Sequence, residues 1–136
     1  MDLIQIKSES FWNKIHERHG DNGGVYKVIA FQDGQRVTIH RFLGQDSDGV
    51  LYIGKANSFV KRVIELKKSI SPDYDGENHG CGKKYKSNPR IAAKFPFEIL
   101  YMELFENNKP GELEKEYLKD YEKTFGEVPP LNQVST

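Results

Sequence analysis

Between residues 25 and 53 the chain offers three β-favouring segments, joined by connections too short to cross over a sheet. Residues 25–31 read as a largely buried strand, Asp33-Gly34 is hairpin chemistry, and residues 36–43 alternate in character as a second strand does. A polar turn over residues 44–49 leads into a short strand at 50–53. Strands linked this tightly run antiparallel, because a parallel pair needs a dozen or more connecting residues. Helical patterns surround this meander. Ser8 or Ser10 caps a helix over residues 8–19 with Phe11, Trp12 and Ile15 on its apolar face, and Gly20 ends it. Asn57 or Ser58 caps another, in which Phe59, Val63, Leu66 and Ile70 repeat at helical spacing. Residues 71–88 are rich in Gly, Asp, Asn and Ser and read as a long loop, followed by a helical turn at 89–94 and a strand at 97–105. Pro110 opens a last helix that runs to Phe125, with Gly126 as its stop. The expected class is α+β: a small antiparallel sheet of three or four strands flanked by helices, with residues 1–136 as one domain.

Bulk properties narrow the function classes. A chain of 136 residues can bury one real core, and no apolar run approaches the ~20 residues that span a bilayer. The N-terminus MDLIQIKSES lacks the basic start and apolar stretch of a secretory signal, and the single cysteine, Cys81, forbids an internal disulfide. A cytoplasmic setting with no membrane partner is the expectation. Net charge is formally zero, but the charges are segregated. Residues 79–94 carry Lys83, Lys84, Lys86, Arg90 and Lys94 without an acid, whereas residues 103–127 hold eight acids against four lysines. A local basic stripe matters more to a polyanion than the total does.

Helical phasing separates chemistry from decoration in the last helix. At 100° per residue, Leu113, Tyr117, Leu118, Tyr121 and Phe125 share one face, and Glu114 projects into the middle of that fan. Glu112 and Glu116 project away from it. A carboxylate among apolar neighbours is costly without a cation or donors, although a first-turn Glu also favours the helix dipole. Arg62 lies at the border of the apolar stripe of its helix, where a guanidinium can lie over the core edge and present its fork to a phosphate. His79 and Cys81 lack the further ligands that a zinc site needs.

Two segments place a tyrosine beside a glycine: Gly24-Val25-Tyr26 and Tyr52-Ile53-Gly54. Lys55 follows at once, Arg62 seven residues later, then Glu114, and Asn132 stands in the tail after Pro129-Pro130. This ordered set resembles the GIY-YIG nuclease superfamily. The first motif has Val25 where the family name has Ile. Twenty-five residues separate the two tyrosines, so residues 31–49 read as an inserted hairpin extension. The resemblance implies a metal-dependent endonuclease that hydrolyses phosphodiester bonds in double-stranded DNA. It implies Mg2+ or another divalent cation held by Glu114, Tyr26 as the general base, Tyr52 in support and Arg62 stabilising the phosphorane. Lys55 and His79 would assist, and Asn132 matches an asparagine that follows the catalytic helix. DNA contacts are expected from Arg36, His40 and Arg41 in the extension, and from Lys83, Lys84, Lys86 and Arg90, whose segment is expected to form one wall of the site. A second subunit, in a homodimer, is one further source of sequence reading. The rival class is a catalytically silent nucleic-acid-binding module, and convergence of Tyr26, Arg62 and Glu114 on one cleft discriminates between the two.

Overall fold

The computed structural model describes residues 2–74 and 80–133. In chain order these form β1 (Ile4–Gln5), α1 (Phe11–His19), β2 (Gly24–Gln32), β3 (Gln35–Arg36), β4 (Ile39–Arg41), β5 (Gly44–Asp46) and β6 (Val50–Ala56). There follow α2 (Phe59–Ile70), α3 (Gly80–Ser87), α4 (Pro89–Lys94), a 3-10 turn over Phe97–Ile99, β7 (Leu100–Glu106) and α5 (Pro110–Phe125). The class is α+β, as the sequence implies. No helix among the described residues is long and apolar enough to cross a membrane.

β2 is the centre of an antiparallel sheet. It pairs with β7 along one side and β6 along the other, β1 extends the β7 edge, and β3 adds to the far end of β2. Antiparallel register puts Tyr26 opposite Gly54 and Val28 opposite Tyr52, so both tyrosines emerge on one face. That face carries the larger core, in which Val28, Ala30 and Leu51 pack with Phe11 and Ile15 of α1, the stripe Phe59, Val63, Leu66 and Ile70 of α2, and Cys81 and Tyr85 of α3. The other face carries Val25, Ile29, Val50 and Ile53, covered by Tyr121 and its helical neighbours on α5. The sheet is thus the middle of three layers.

Three details depart from the sequence reading. The sheet holds five strands rather than three or four, because β1 and β3, of two residues each, join the three long ones. Residues 36–43 do not form one strand. The chain leaves the sheet after Arg36, and β4 pairs instead with β5 as a separate ribbon. This ribbon clasps the end of α5: Leu43 N–H donates to Phe125 O at 2.9 Å, Arg41 meets Glu127 at 3.1 Å, and Tyr121 Oη donates to buried Asp46 at 2.9 Å. Finally, residues 80–87 are helical, not loop. Cys81, Gly82 and Tyr85 are buried, and a Cβ on Gly82 would fall 2.3 Å from Ser69 Oγ of α2. Close packing on α2 therefore overrides the poor helix propensity of Gly-Cys-Gly.

Candidate active site

The two motif glycines are explained by what approaches them. Gly24 has φ 156°, and a Cβ there would lie 2.0 Å from Phe105 O of β7. At Gly54 a Cβ would lie 2.5 Å from Tyr26 Cζ, 2.6 Å from its Oη and 2.7 Å from Tyr52 Cε2. The bare backbone of Gly54 is the floor on which both phenols rest.

Tyr26 is fully buried and Tyr52 partly so, with ring centroids 6.1 Å apart. Their side chains share a hydrogen bond, and Tyr26 is also in hydrogen-bonding contact with Arg62. Burial pushes the Tyr26 hydroxyl well above the ordinary phenol range, and the neighbouring Tyr52 adds to this while Arg62 opposes it. Burial likewise pushes Tyr52 up to about 12. Both phenols therefore keep their protons at neutral pH in the ligand-free protein. Arg62, on α2, bridges Tyr26 to Glu65, with the Glu65 contact at 3.2 Å.

Glu114 comes from the opposite layer. Lys55 alternates with Gly54 and so faces α5, while the tyrosines face α2. The two sets meet around the outer edge of β6, whose strand partner among the described residues is β2. Half-burial raises the Glu114 carboxyl above its usual value, and the charges of Lys55 and Arg62 pull it back. Glu114 in turn acts on Tyr52. Tyr26, Tyr52, Lys55, Arg62 and Glu114, from four elements and all three layers, form one connected cluster.

Lys55 and Arg62 also line a cleft of about 840 Å³ that opens between the starts of α2 and α5. Asp21, Asn57, Ser58, Lys61, Glu65 and Gly111 complete its polar lining. The sequence reading gave Asn57 and Ser58 only a capping role, which Ser58 does not fulfil with its side chain, and gave Lys61 no site role. The signal for Ser58 and Lys61 was legible: Ser58, Lys61, Arg62 and Glu65 follow the i, i+3, i+4, i+7 rule along a side of α2 that begins at the border of its core stripe.

The remaining expected residues are placed elsewhere. Asn132 is buried, and its amide brackets Ile53, accepting from its N–H and donating to its carbonyl, both at 2.9 Å. Its side chain is fully engaged in holding the β6 edge. Arg36 pairs with Glu103 at 3.0 Å, and Arg41 pairs with Glu127 and donates to Val128 O at 2.6 Å, so both guanidiniums have carboxylate partners within the chain. His40 is exposed on the ribbon. The α3 segment borders Tyr52 through Gly80 and Cys81, but Lys83, Lys84, Lys86 and Arg90 do not line the cleft, contrary to the expectation of a basic wall. Lys84 donates to Asn132 O at 2.9 Å and Lys86 to Tyr74 O, whereas Lys83 and Arg90 are exposed. His79 lies outside the described residues.

Among the described residues no three His, Cys, Asp or Glu side chains gather as a ready-made metal cage. One carboxylate in a half-buried, polar setting still fits Mg2+, which keeps several waters and needs only one or two carboxylates plus substrate phosphate. The surplus of positive charge from Lys55 and Arg62 beside Glu114 suits a bound phosphate better than a bare cation. No protein-family model matches the chain, and neither does any curated protein or solved structure.

Proposed function

We propose that this protein is a metal-dependent endonuclease of the GIY-YIG type that hydrolyses phosphodiester bonds in double-stranded DNA. The observation that carries the reading is the convergence of Tyr26, Tyr52, Lys55, Arg62 and Glu114 around the β6 edge, from elements up to 88 residues apart in the chain. Packing alone gives these polar groups no reason to meet, whereas phosphoryl chemistry needs a carboxylate, fixed cations and a proton acceptor together.

Arg62 and Lys55 would hold the scissile phosphate and offset the charge that grows on its oxygens in the transition state. Tyr26 would accept the proton of the attacking water as its oxygen bonds to phosphorus and one P–O ester bond breaks. The proton already on Tyr26 must leave first, so the competent fraction rises with pH across the neutral range. Tyr52 shares its hydrogen bond with Tyr26 and orients it. Glu114 would hold a divalent cation, which supplies Lewis acidity to the phosphate and to a bound water. Buried, reduced Cys81 suits a cytoplasmic setting. A homodimer would bring two such sites onto one duplex.

A second reading, a silent nucleic-acid-binding module, is favoured by the protonated phenols and by the single carboxylate. Supercoiled plasmid separates the two. With Mg2+ the wild type is expected to nick it, EDTA should stop the reaction, and Glu114→Ala should show no cutting while its DNA affinity stays within about threefold of wild type. Cutting that survives EDTA removes the metal mechanism. Tight binding with no cutting in any divalent cation leaves the binding module.

A further inference from the structure

We propose that the cleft between the starts of α2 and α5 is a second phosphate subsite, which takes the phosphate next to the one under attack on the same strand. The choice of strand and neighbour rests on the nuclease reading above. The ligand class rests on the cleft itself.

Three cationic side chains, Lys55, Lys61 and Arg62, line the cleft against two acids, Asp21 and Glu65, and Glu65 is tied to Arg62 at 3.2 Å. Both helices begin there without a side-chain cap. On α2, Phe59 N–H is taken by Asn22 O at 3.0 Å and the first helical bond is Arg62 N–H to Ser58 O at 3.1 Å. Among the described residues no backbone acceptor takes the N–H groups of Val60 and Lys61, which are left as donors. On α5, Pro110 has no N–H and Glu112 and Leu113 bond to Lys109 O at 3.2 Å, which leaves Gly111 N–H. Lys55 Nζ stands beside that glycine, 3.7 Å from where a Cβ would be. Two helix N-termini thus direct their partial positive charge into a space already rich in cations. A further unmet demand stands at the wall: Ser58 Oγ is buried with no hydrogen-bond partner among the described residues. A neutral ligand could accept from the N–H groups but would leave the surplus of cations unmatched, whereas a phosphate supplies both acceptor oxygens and negative charge.

The cleft is continuous with the cluster through Arg62 and Lys55, which face both. Ser58 to Glu65 spans about 10 Å of helix axis, room for a phosphate beside the one held at Arg62. A subsite here would fix the strand's register, so that one particular phosphate enters the field of Arg62 and Glu114. Its binding would be felt equally in ground and transition states.

The first test does not depend on cutting. Titrating isotope-labelled protein with inorganic phosphate should give saturable amide shifts at Val60, Lys61 and Gly111, and Lys61→Glu, an exposed position, should abolish them. The second uses duplex oligonucleotides. Lys61→Ala should raise KM about tenfold with kcat within about twofold, the signature of uniform binding. A duplex with one uncharged methylphosphonate next to the cut should be bound about tenfold more weakly by wild type and lose nothing more on Lys61→Ala. If phosphate shifts these amides but no DNA is cut in any divalent cation, the anion site stands and the nuclease reading falls. If DNA is cut while phosphate moves no cleft amide and Lys61→Ala leaves KM unchanged, the subsite is overturned and the nuclease reading stands. Shifts confined to α3 and α4 overturn it as well.

Discussion

Gly54 shows how one residue type can be fixed by its neighbours' chemistry. The space its side chain would fill is already held by the ring and hydroxyl of Tyr26. Gly54→Ala must push both phenols off the β6 floor, and overpacking of this kind costs about 1–3 kcal/mol. On the proposed nuclease function, the expected outcome is a folded protein that cuts slowly. Its kcat on plasmid should fall as far as that of Tyr26→Phe, by roughly 10²-fold or more, with DNA affinity little changed. Wild-type cutting by Gly54→Ala would mean that the position of Tyr26 Oη is irrelevant to the chemistry. Asn132 teaches the complementary lesson. It stood among the catalytic candidates because of where it occurs after the last helix, yet both amide atoms are engaged by Ile53. It serves the site by holding the strand between Tyr52 and Gly54.

At the scale of elements, α3 and α4 divide the basic segment into two kinds of cation. Lys84 and Lys86 are anchored to carbonyls of the tail and of the chain after α2, while Lys83 and Arg90 are exposed. Counterion release counts only cations that reach phosphates, each lowering the salt slope of binding by roughly 0.9. Lys83→Ala with Arg90→Ala should therefore reduce the slope of log affinity against log salt by about 1.8 with no change in melting temperature. Lys84→Ala should instead loosen the tail and lower the melting temperature, leaving the slope alone. An unaltered slope in the double variant, measured by fluorescence anisotropy from 50 to 200 mM salt (an order-of-magnitude window), would place these helices away from the duplex. The extension has a comparable division of labour: Arg41 of the β4–β5 ribbon is held by Glu127 just after α5, Arg36 of β3 by Glu103 of β7, and only His40 is left exposed among the three extension residues expected at DNA.

For the whole molecule, the cluster depends on a carboxylate brought from one helical layer to meet cations and phenols of the sheet and of the opposite helical layer, and that arrangement is paid for in stability. Burial raises the folded-state pKa of Glu114 above its usual value near 4.5, more than Lys55 and Arg62 lower it. The unfolded chain then releases this proton more readily than the folded one, so wild type loses stability as pH rises from the unfolded to the folded pKa, and the loss is complete above that window. Glu114→Gln, which has no proton to lose, should melt higher than wild type at pH 8 in EDTA, with the difference vanishing near pH 4. The opposite sign would show that attraction to Lys55 and Arg62 outweighs burial at this position.

The sequence by itself determined the α+β class and the antiparallel sheet, but not the meander, since the chain leaves the sheet after Arg36 and β6 pairs directly with β2. It also determined α5 from Pro110 to the Gly126 stop, and the inward phase of Glu114 within it, because helical period is a local property. The motif order Tyr26, Tyr52, Lys55, Arg62, Glu114 was equally legible. Only the tertiary structure decided that these residues meet, because the meeting takes place around a strand edge between layers that no single period describes. It alone turned residues 80–87 into a helix, through burial of Cys81 and Tyr85 against α2. It alone engaged Arg36, Arg41 and Asn132 inside the fold, since whether a polar side chain is available depends on which partner the rest of the chain brings to it.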